Sequence, residues 1–239
     1  MDTTKYFPSV EAIEKAAEVL TEILEPTPFM KNNNLSDVYD ANVFLKREDL
    51  QMVRSYKIRG AFNKIRTLEP EYLEKGIVCA SAGNHAQGVA FSCNKLQIMG
   101  SIFMPTTTPK QKIEQVRMFG KEYIDIVLTG DTFDAANSAA IEFAKKSGRT
   151  FIPPFDDPKV MEGQGTIGRE ILAQAPEKLD YIFVPIGGGG LASGIGAVYK
   201  QMSPNTKIIG VEPAGAAGMK LSFERGEVTT LDHIEKFVD

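Results

Sequence analysis

Lys57 lies in the stretch RSYKIRGAF, residues 54–62, and its amine could react with a carbonyl group. In a helix, Lys57 would share one face with apolar residues that follow it at spacings of four, four and three: Ala61, Ile65 and Leu68. Arg59 and Asn63 would lie mainly on other faces. Burial and the positive end of the helix dipole would both lower the pKa of this lysine, which favours Schiff-base chemistry. The alternative is an ordinary lysine whose long side chain reaches water.

Four consecutive glycines, Gly187–Gly190, follow the strand-like run DYIFVPI and precede a helix that starts near Leu191. Such a run is costly in backbone entropy, but it lets a ligand approach the main chain closely. N–H groups at a helix N-terminus favour an anion, above all a phosphate. No Gly-Lys-Ser/Thr is present, which excludes a P-loop.

Two other interpretations of the glycine run remain open. Gly187-x-Gly189-x-x-Ala192 loosely fits a dinucleotide fingerprint, and Glu212 lies 20 residues beyond Ala192, where a ribose-binding carboxylate is expected. The run could also be a purely structural turn.

The loop SAGNHAQG follows another strand-like run, GIVCAS, and precedes a helix that starts at Asn84 or His85. Ser81, the Gly83 amide and Asn84 are small polar groups at a helix N-terminus, an arrangement that suits a carboxylate. Simple capping by asparagine explains the same residues. We interpret His85 as a first-turn helix residue rather than a base.

The elements that carry these loops alternate between strands and helices, which predicts an α/β fold with parallel sheets covered by helices on both faces. The loop IPPFDDPK marks a boundary near 152–159 between two lobes with a cleft between them. An N-terminal helix from Val10 to Leu24 is expected to start at Ser9 and stop at Pro26, and a later helix is expected to be capped by Asp131 and closed by Gly148.

Composition narrows the class of protein. The 239 residues carry a net charge of −4, too mild to suggest a nucleic-acid partner. The two cysteines, Cys79 and Cys93, form no CxxC or Cys/His cluster, so neither a disulfide scaffold nor a structural zinc site is expected. The sequence shows no signal peptide and no apolar run near the roughly 18 residues of a membrane span. We therefore expect a soluble cytoplasmic protein.

Together the three loops offer an amine for a carbonyl, a phosphate cradle and a carboxylate site. Pyridoxal 5′-phosphate has an aldehyde and a phosphate, and an amino-acid substrate brings the carboxylate. No dinucleotide oxidoreductase needs the lysine.

SYKIRGA, SAGNHAQG and IGGGGL, in this order and at these separations, resemble the fold-type II pyridoxal-phosphate enzymes, most closely the threonine dehydratase (threonine ammonia-lyase) branch. The resemblance runs from about Leu24 to the last residue. It implies a two-lobed α/β fold like the β subunit of tryptophan synthase. Residues 1–47 and 152–239 would form the large cofactor-binding lobe, and residues 48–151 would form a small lobe that carries Lys57 and the 81–85 loop.

The resemblance also implies residue roles. Lys57 would form the Schiff base with the cofactor, Tyr56 would lie beside it where phenylalanine is more usual, and Asn84 would bond the 3′-oxygen of the pyridine ring. The remaining roles fall on two sets of residues. The substrate carboxylate would be held by Ser81, Ala82, Gly83, Asn84 and His85. The phosphate would be bound by Gly187, Gly188, Gly189, Gly190 and Leu191.

The implied activity is elimination from L-threonine to 2-oxobutanoate and ammonia, as in isoleucine biosynthesis, with Lys57 taking the α-proton; serine would give pyruvate. Racemases of the family have a second serine where this chain has Ala82, which favours elimination. The alternatives are a serine or threonine racemase, a β-replacement enzyme, an inactive truncated fragment, or a dinucleotide-binding module.

Departures from the family pattern set further expectations. Glu212 matches one carboxylate of a divalent-metal site, but Gly218 stands where the second would be, so no metal is expected and Glu212 would be solvated. The family's partner for the pyridine nitrogen lies beyond Asp239. A chain that lacks the final strands would expose sheet edges. The family also implies a homo-oligomer, a dimer or tetramer.

Overall fold

The computed structural model describes residues 6–231 and 234–235. The ends of the predicted large lobe, residues 1–5 and 236–239, lie outside the described residues. The helices are α1 Val10–Leu20, α2 Asn33–Tyr39, α3 Lys57–Arg66, α4 Pro70–Lys75, α5 Asn84–Leu96, α6 Lys110–Gly120, α7 Phe133–Ser147, α8 Pro158–Gln174, α9 Gly190–Met202 and α10 Gly218–Arg225. The strands are β1 Phe29–Lys31, β2 Phe44–Lys46, β3 Ile77–Ala80, β4 Gly100–Met104, β5 Ile124–Leu128, β6 Thr150–Phe151, β7 Tyr181–Pro185 and β8 Lys207–Val211.

A parallel four-stranded sheet has the order β5-β4-β3-β6. Every residue of β3 is buried. Ile77 and Cys79 pack with apolar residues of α5, while Val78 and Ala80 pack with apolar residues of α7 on the other side. The sheet is therefore covered by helices on both faces, as predicted, and this explains why β3 lacks the polar alternation of a half-exposed strand.

Strands β7 and β8 form a second parallel sheet, and β1 and β2 form an antiparallel hairpin. In β7, Ile182 and Val184 pack into a cluster with apolar residues of α8 and α9. Tyr181 and Phe183 point the other way and are 50% and 68% exposed. The described residues thus cover one face of this sheet. No helix in the described ranges is long and apolar enough to cross a membrane.

Two predicted helix boundaries differ from the structure. Helix α1 ends at Leu20 rather than Leu24, because the chain leaves it through a turn in which Ile23 and Leu24 N–H both donate to the Leu20 carbonyl. Pro26 therefore does not end the helix. Helix α7 is capped by the side chain of Thr132, not Asp131. The caps predicted at Ser9 and Gly148 are confirmed.

Helix α3 is buried on more sides than its apolar stripe predicts. Ala61 and Ile65 are buried as expected, but Arg59 and Asn63 are each only 1% exposed. The prediction that these two polar residues lie off the buried surface is wrong, because α3 packs between α5 and α8. One helix therefore contacts elements of both predicted lobes; the lobe boundaries themselves stay a prediction.

Glycines set the distances between α8 and its two neighbours. A methyl group on Gly163 of α8 would lie 2.6 Å from the Arg59 carbonyl oxygen of α3. On the α9 side, a methyl group on Gly194 would lie 2.5 Å from Gly165 N and from the Met161 carbonyl oxygen. Backbone atoms cannot give way as a flexible side chain can, so any larger residue would push the helices apart.

Replacing Gly163 by alanine is expected to destabilise the chain by about 1–3 kcal/mol, because the added methyl group meets backbone atoms of α3. Gly196→Ala is the matched control: it is also a helical glycine, but a methyl group there meets nothing within 4 Å. The control should gain about 0.5–1 kcal/mol from helix propensity. Urea unfolding measures both, and equal stabilities for the two variants would contradict the close packing.

Candidate active site

Lys57 is the first residue of α3 and is half-buried. Its Nζ donates to the carbonyl oxygen of Pro154 at 2.9 Å and lies 5.5 Å from the centre of the Tyr56 ring. No carboxylate in the described part of the chain forms an ion pair with it. Burial lowers the pKa of Lys57 below the ordinary lysine value of 10.5. An amine in this setting is more easily deprotonated and more nucleophilic than an exposed one.

The loop between β3 and α5 presents backbone donors at the start of a helix. Gly83 is the N-cap residue, and its own N–H donates to Ser81 Oγ at 3.1 Å. The N–H groups of Ala82, Asn84 and His85 donate to no other described residue, and the Asn84 side chain is exposed. A carboxylate is the kind of ligand that such donors and the helix dipole favour.

The side chain of His85 is turned away from this loop and buried. Its Nε2–H donates to the carbonyl oxygen of Ile152 at 2.9 Å. Burial, with a smaller contribution from the charge of Lys57, lowers the pKa of His85 to about 4. The ring is therefore neutral at neutral pH and committed to Ile152, which leaves only the backbone N–H of His85 for a ligand.

The glycine loop connects β7 to α9. Gly189 adopts φ +85°, a conformation that side chains other than glycine rarely take. The N–H groups of Gly187, Gly188, Gly189 and Gly190 donate to no other described residue. The first two of these glycines are exposed. Free N–H groups at the start of a 13-residue helix form a cradle for an anion.

Tyr56 and Leu191 both line a neighbouring cleft. Both pack with the apolar residues of β7 and α9, and both line a cleft of about 840 Å³ beside the β1–β2 hairpin. Neither Lys57 nor any of the four glycines lines that cleft. Burial raises the pKa of Tyr56, so its hydroxyl stays protonated.

The segment 152–155 joins the predicted loops, and sequence reasoning treated it only as a boundary. It accepts hydrogen bonds from His85 and Lys57, and the ring of Phe155 lies against Gly188. The topology could have indicated it: β6 is the parallel neighbour of β3, and the carboxyl ends of adjacent parallel strands meet at one sheet edge, where ligands bind.

A buried ion network that sequence reasoning also missed holds α3 against α8. The Arg59 guanidinium donates to Glu48 at 2.7 Å and to Glu170 at 2.5 Å, and also to Thr166 at 3.0 Å. Lys46 Nζ donates to the other oxygen of Glu170 at 2.5 Å. Burial alone would raise the pKa of Glu170, but its bonds to Arg59 and Lys46 outweigh burial and hold that pKa below its ordinary range.

Glu212 was expected to be solvated, but in the structure its carboxylate accepts hydrogen bonds from the main chain. Its two carboxylate oxygens accept the N–H groups of Met219 and Lys220 at 2.9 and 2.8 Å, at the start of α10. The carboxylate is thus used as a helix cap, which speaks against a ribose-binding role. No group of three or more possible metal ligands occurs among the described residues.

These residues fit pyridoxal 5′-phosphate. Lys57 is a half-buried amine with no carboxylate partner in the described part of the chain, and four unbonded glycine N–H groups suit a phosphate. Two consecutive residues contact both groups: the Pro154 carbonyl accepts from Lys57, and the ring of Phe155 lies against Gly188. The hydroxyl of Ser55, two residues before Lys57, is buried and has no hydrogen-bond partner among the described residues, so it is free to bind a polar group of a ligand.

The fold is that of an α/β protein, and the residues of its candidate site fit a cofactor that carries an aldehyde and a phosphate. A family model described as pyridoxal-phosphate dependent enzyme matches residues 20–239, and the chain belongs to this family. The prediction of pyridoxal 5′-phosphate as cofactor is thereby confirmed.

Individual relatives show which members of this family the chain is similar to. The biosynthetic L-threonine dehydratase IlvA of Halalkalibacterium halodurans is 55% identical over 230 residues, which are 96% of this chain and 55% of that protein. Processed threonine deaminase isoform 2 of Solanum lycopersicum superposes with a TM-score of 0.88 at 44% identity, over 97% of this chain and 68% of that one. Maize serine racemase gives 0.91 at 31% identity, over 96% and 69%. The chain thus spans little more than half the length of the curated relative.

Arg59→Met is expected to cost about 3–5 kcal/mol of stability, because it removes the buried cation that pairs with both Glu48 and Glu170 and leaves Glu170 with Lys46 alone. Arg169→Met on α8 is the control, since its ion pair with Glu14 is half exposed and should be worth less than about 1 kcal/mol. Urea unfolding at neutral pH measures both. A loss at Arg59 no greater than that at Arg169 would show that the buried network does not hold the two helices.

The low pKa of Lys57 can be measured by reductive methylation followed by peptide mapping over a pH series. Because burial disfavours the ammonium form, the midpoint for Lys57 should fall below 10.5 in the folded chain. In the urea-unfolded chain, which serves as the internal control, the same lysine should return to its ordinary midpoint. Equal midpoints in the two states would mean that the ammonium reaches water.

Proposed function

We propose that this protein is a pyridoxal-phosphate dependent ammonia-lyase that converts L-threonine to 2-oxobutanoate and ammonia, and serine to pyruvate. The observation that carries the proposal is Lys57, a half-buried amine without a carboxylate partner among the described residues, linked through Pro154 and Phe155 to the glycine loop. High identity to proteins named threonine dehydratase supports this substrate.

When bound, the cofactor supplies an aldehyde that condenses with amines and a pyridine ring that accepts an electron pair from the α-carbon. The glycine N–H groups would bind its phosphate. The backbone N–H groups of Ala82 and Asn84, with the Ser81 hydroxyl, would bind and orient the substrate carboxylate at the start of α5. The Asn84 side chain would hold the ring of the cofactor.

The amine of Lys57 would take the α-proton of the substrate at Nζ. Burial lowers its pKa, which makes the unprotonated amine easier to form than in an exposed lysine, as a general base requires. The neutral ring of His85, fixed on Ile152, does not compete for that proton. The proton therefore moves on one face of the substrate.

Racemisation is the second candidate, favoured by the likeness to maize serine racemase. A racemase must also return a proton on the opposite face. Ala82 has a methyl side chain, which can neither donate nor accept one. Elimination therefore remains the proposed outcome.

Further properties belong to the same proposal. Residues 1–47 and 152–239 would form the cofactor-binding lobe, and 48–151 the lobe that carries Lys57. The protein would work in the cytoplasm as a homo-oligomer, a dimer or tetramer. The word biosynthetic in the names of its relatives supports a role in isoleucine synthesis.

Incubation with pyridoxal 5′-phosphate, borohydride reduction and peptide mapping should place the cofactor on Lys57. Lys57→Ala should lose the label and at least about a thousandfold of any turnover, whereas replacement of the exposed Lys95 on the neighbouring α5 should change neither. The product from L-threonine should be 2-oxobutanoate, and Ala82→Ser should raise the share of D-allothreonine, the product of inversion at the α-carbon alone. A label on another lysine, or D-allothreonine from the unaltered chain, would refute this function.

A further inference from the structure

The segment Ile152–Phe155 contacts the site at three successive points. The Ile152 carbonyl accepts from His85, the Pro154 carbonyl accepts from Lys57, and Phe155 lies against the glycine loop. Four consecutive residues therefore run from the lysine to the phosphate cradle. No other segment described here makes all three contacts.

Contact between Phe155 and the loop explains where glycine is required. A methyl group on Gly188 would overlap the Phe155 ring, and one on Gly190 would lie 3.0 Å from the Cβ and carbonyl oxygen of Phe155. A methyl group on Gly187 would meet nothing within 4 Å. Two of the glycines thus fit the aromatic residue itself, in addition to any ligand.

Phe155 does not serve the core. It is 37% exposed, and the four apolar clusters of the described residues do not include it. An aromatic side chain outside the core that packs on exposed glycines has little to contribute to burial, and its ring instead restrains the loop.

The chain between the Ile152 and Pro154 carbonyls is stiff. Residues 153 and 154 are both proline, and each proline ring holds φ close to −65°. The two carbonyls that accept from His85 and Lys57 therefore keep a restricted spacing. Phe155 follows directly, so its ring starts from a backbone that is already held at two points.

We propose that Phe155 is a positioning residue, which holds the glycine loop at a set distance from Lys57 so that one ligand can reach both. The identity of that ligand, an aldehyde that carries a phosphate, rests on the proposed function. The restraint itself is a property of the chain. It acts before the ligand arrives, which lowers the entropy lost when two separate contacts must form together.

The test compares trapping of pyridoxal 5′-phosphate and of pyridoxal, which lacks the phosphate, on Lys57 by borohydride. The ratio of their half-saturating concentrations isolates the advantage of reaching both ends of the site, since changes in lysine reactivity or stability affect the two aldehydes alike. Phe155→Ala should reduce this ratio about tenfold, and Phe155→Leu, which keeps an apolar side chain on Gly188, should hold it within about threefold.

An unchanged ratio in Phe155→Ala, or an equal loss in Phe155→Leu, would overturn the proposal. Inorganic phosphate separates this failure from failure of the proposed function, because its binding, followed by the rise in thermal stability, needs no lysine chemistry. If neither aldehyde labels Lys57, the function falls. Weaker phosphate binding in Phe155→Ala would still support the positioning role, and unaltered binding or none in the parent chain would overturn it.

The packing premise has its own double-mutant cycle. Gly188→Ala should destabilise the parent chain, because the methyl group meets the ring, but should cost little in the Phe155→Ala background. Gly187→Ala should be insensitive to the residue at 155, since open space surrounds it. Additive effects of the changes at 155 and 188 would show that the two residues are not in contact and would overturn the proposal.

Discussion

The close approach of α8 to two other helices is the constraint on which the site depends. Gly163 lets α3 come within backbone contact on one side, and Gly194 lets α9 do so on the other. Helix α3 begins at Lys57 and helix α9 begins at Gly190. The distance between the starts of these two helices therefore depends on glycines that belong to neither candidate loop. This is a steric cause, since close-packed backbones have one spacing rather than a range.

Two basic side chains in the first turn of α3 have different electrostatic surroundings. Arg59 is almost fully buried, and its charge is compensated by Glu48 and Glu170. Lys57, two residues earlier, is given a carbonyl oxygen and no carboxylate among the described residues. The compensated charge fixes the helix, because a buried ion pair tolerates little displacement. Lys57 lacks such compensation, and its burial lowers its pKa, which favours the unprotonated amine.

The parts of this arrangement that sequence could predict are those set by local pattern. Alternating strand and helix periods predicted parallel sheets covered by helices on both faces, and residue type at helix starts singled out Lys57, Asn84 and the glycine run as candidates. Arg59 could not be assigned a partner, because Glu170 lies 111 positions away and the pairing exists only once α3 meets α8. The capping role of Glu212 likewise could not be predicted, because it depends on α10, whose sequence shows no strong hydrophobic period.

Three candidate site features have one common origin. Lys57, the loop before α5 and the glycine loop lie at the starts of α3, α5 and α9, where N–H groups are not used by the helix and the dipole is positive. Such ends attract anions, and they disfavour an ammonium ion. Burial is the main cause of the low pKa of Lys57, and the dipole acts in the same direction. Helix starts that lie close together therefore favour anionic groups, and the same field disfavours the ammonium form of Lys57.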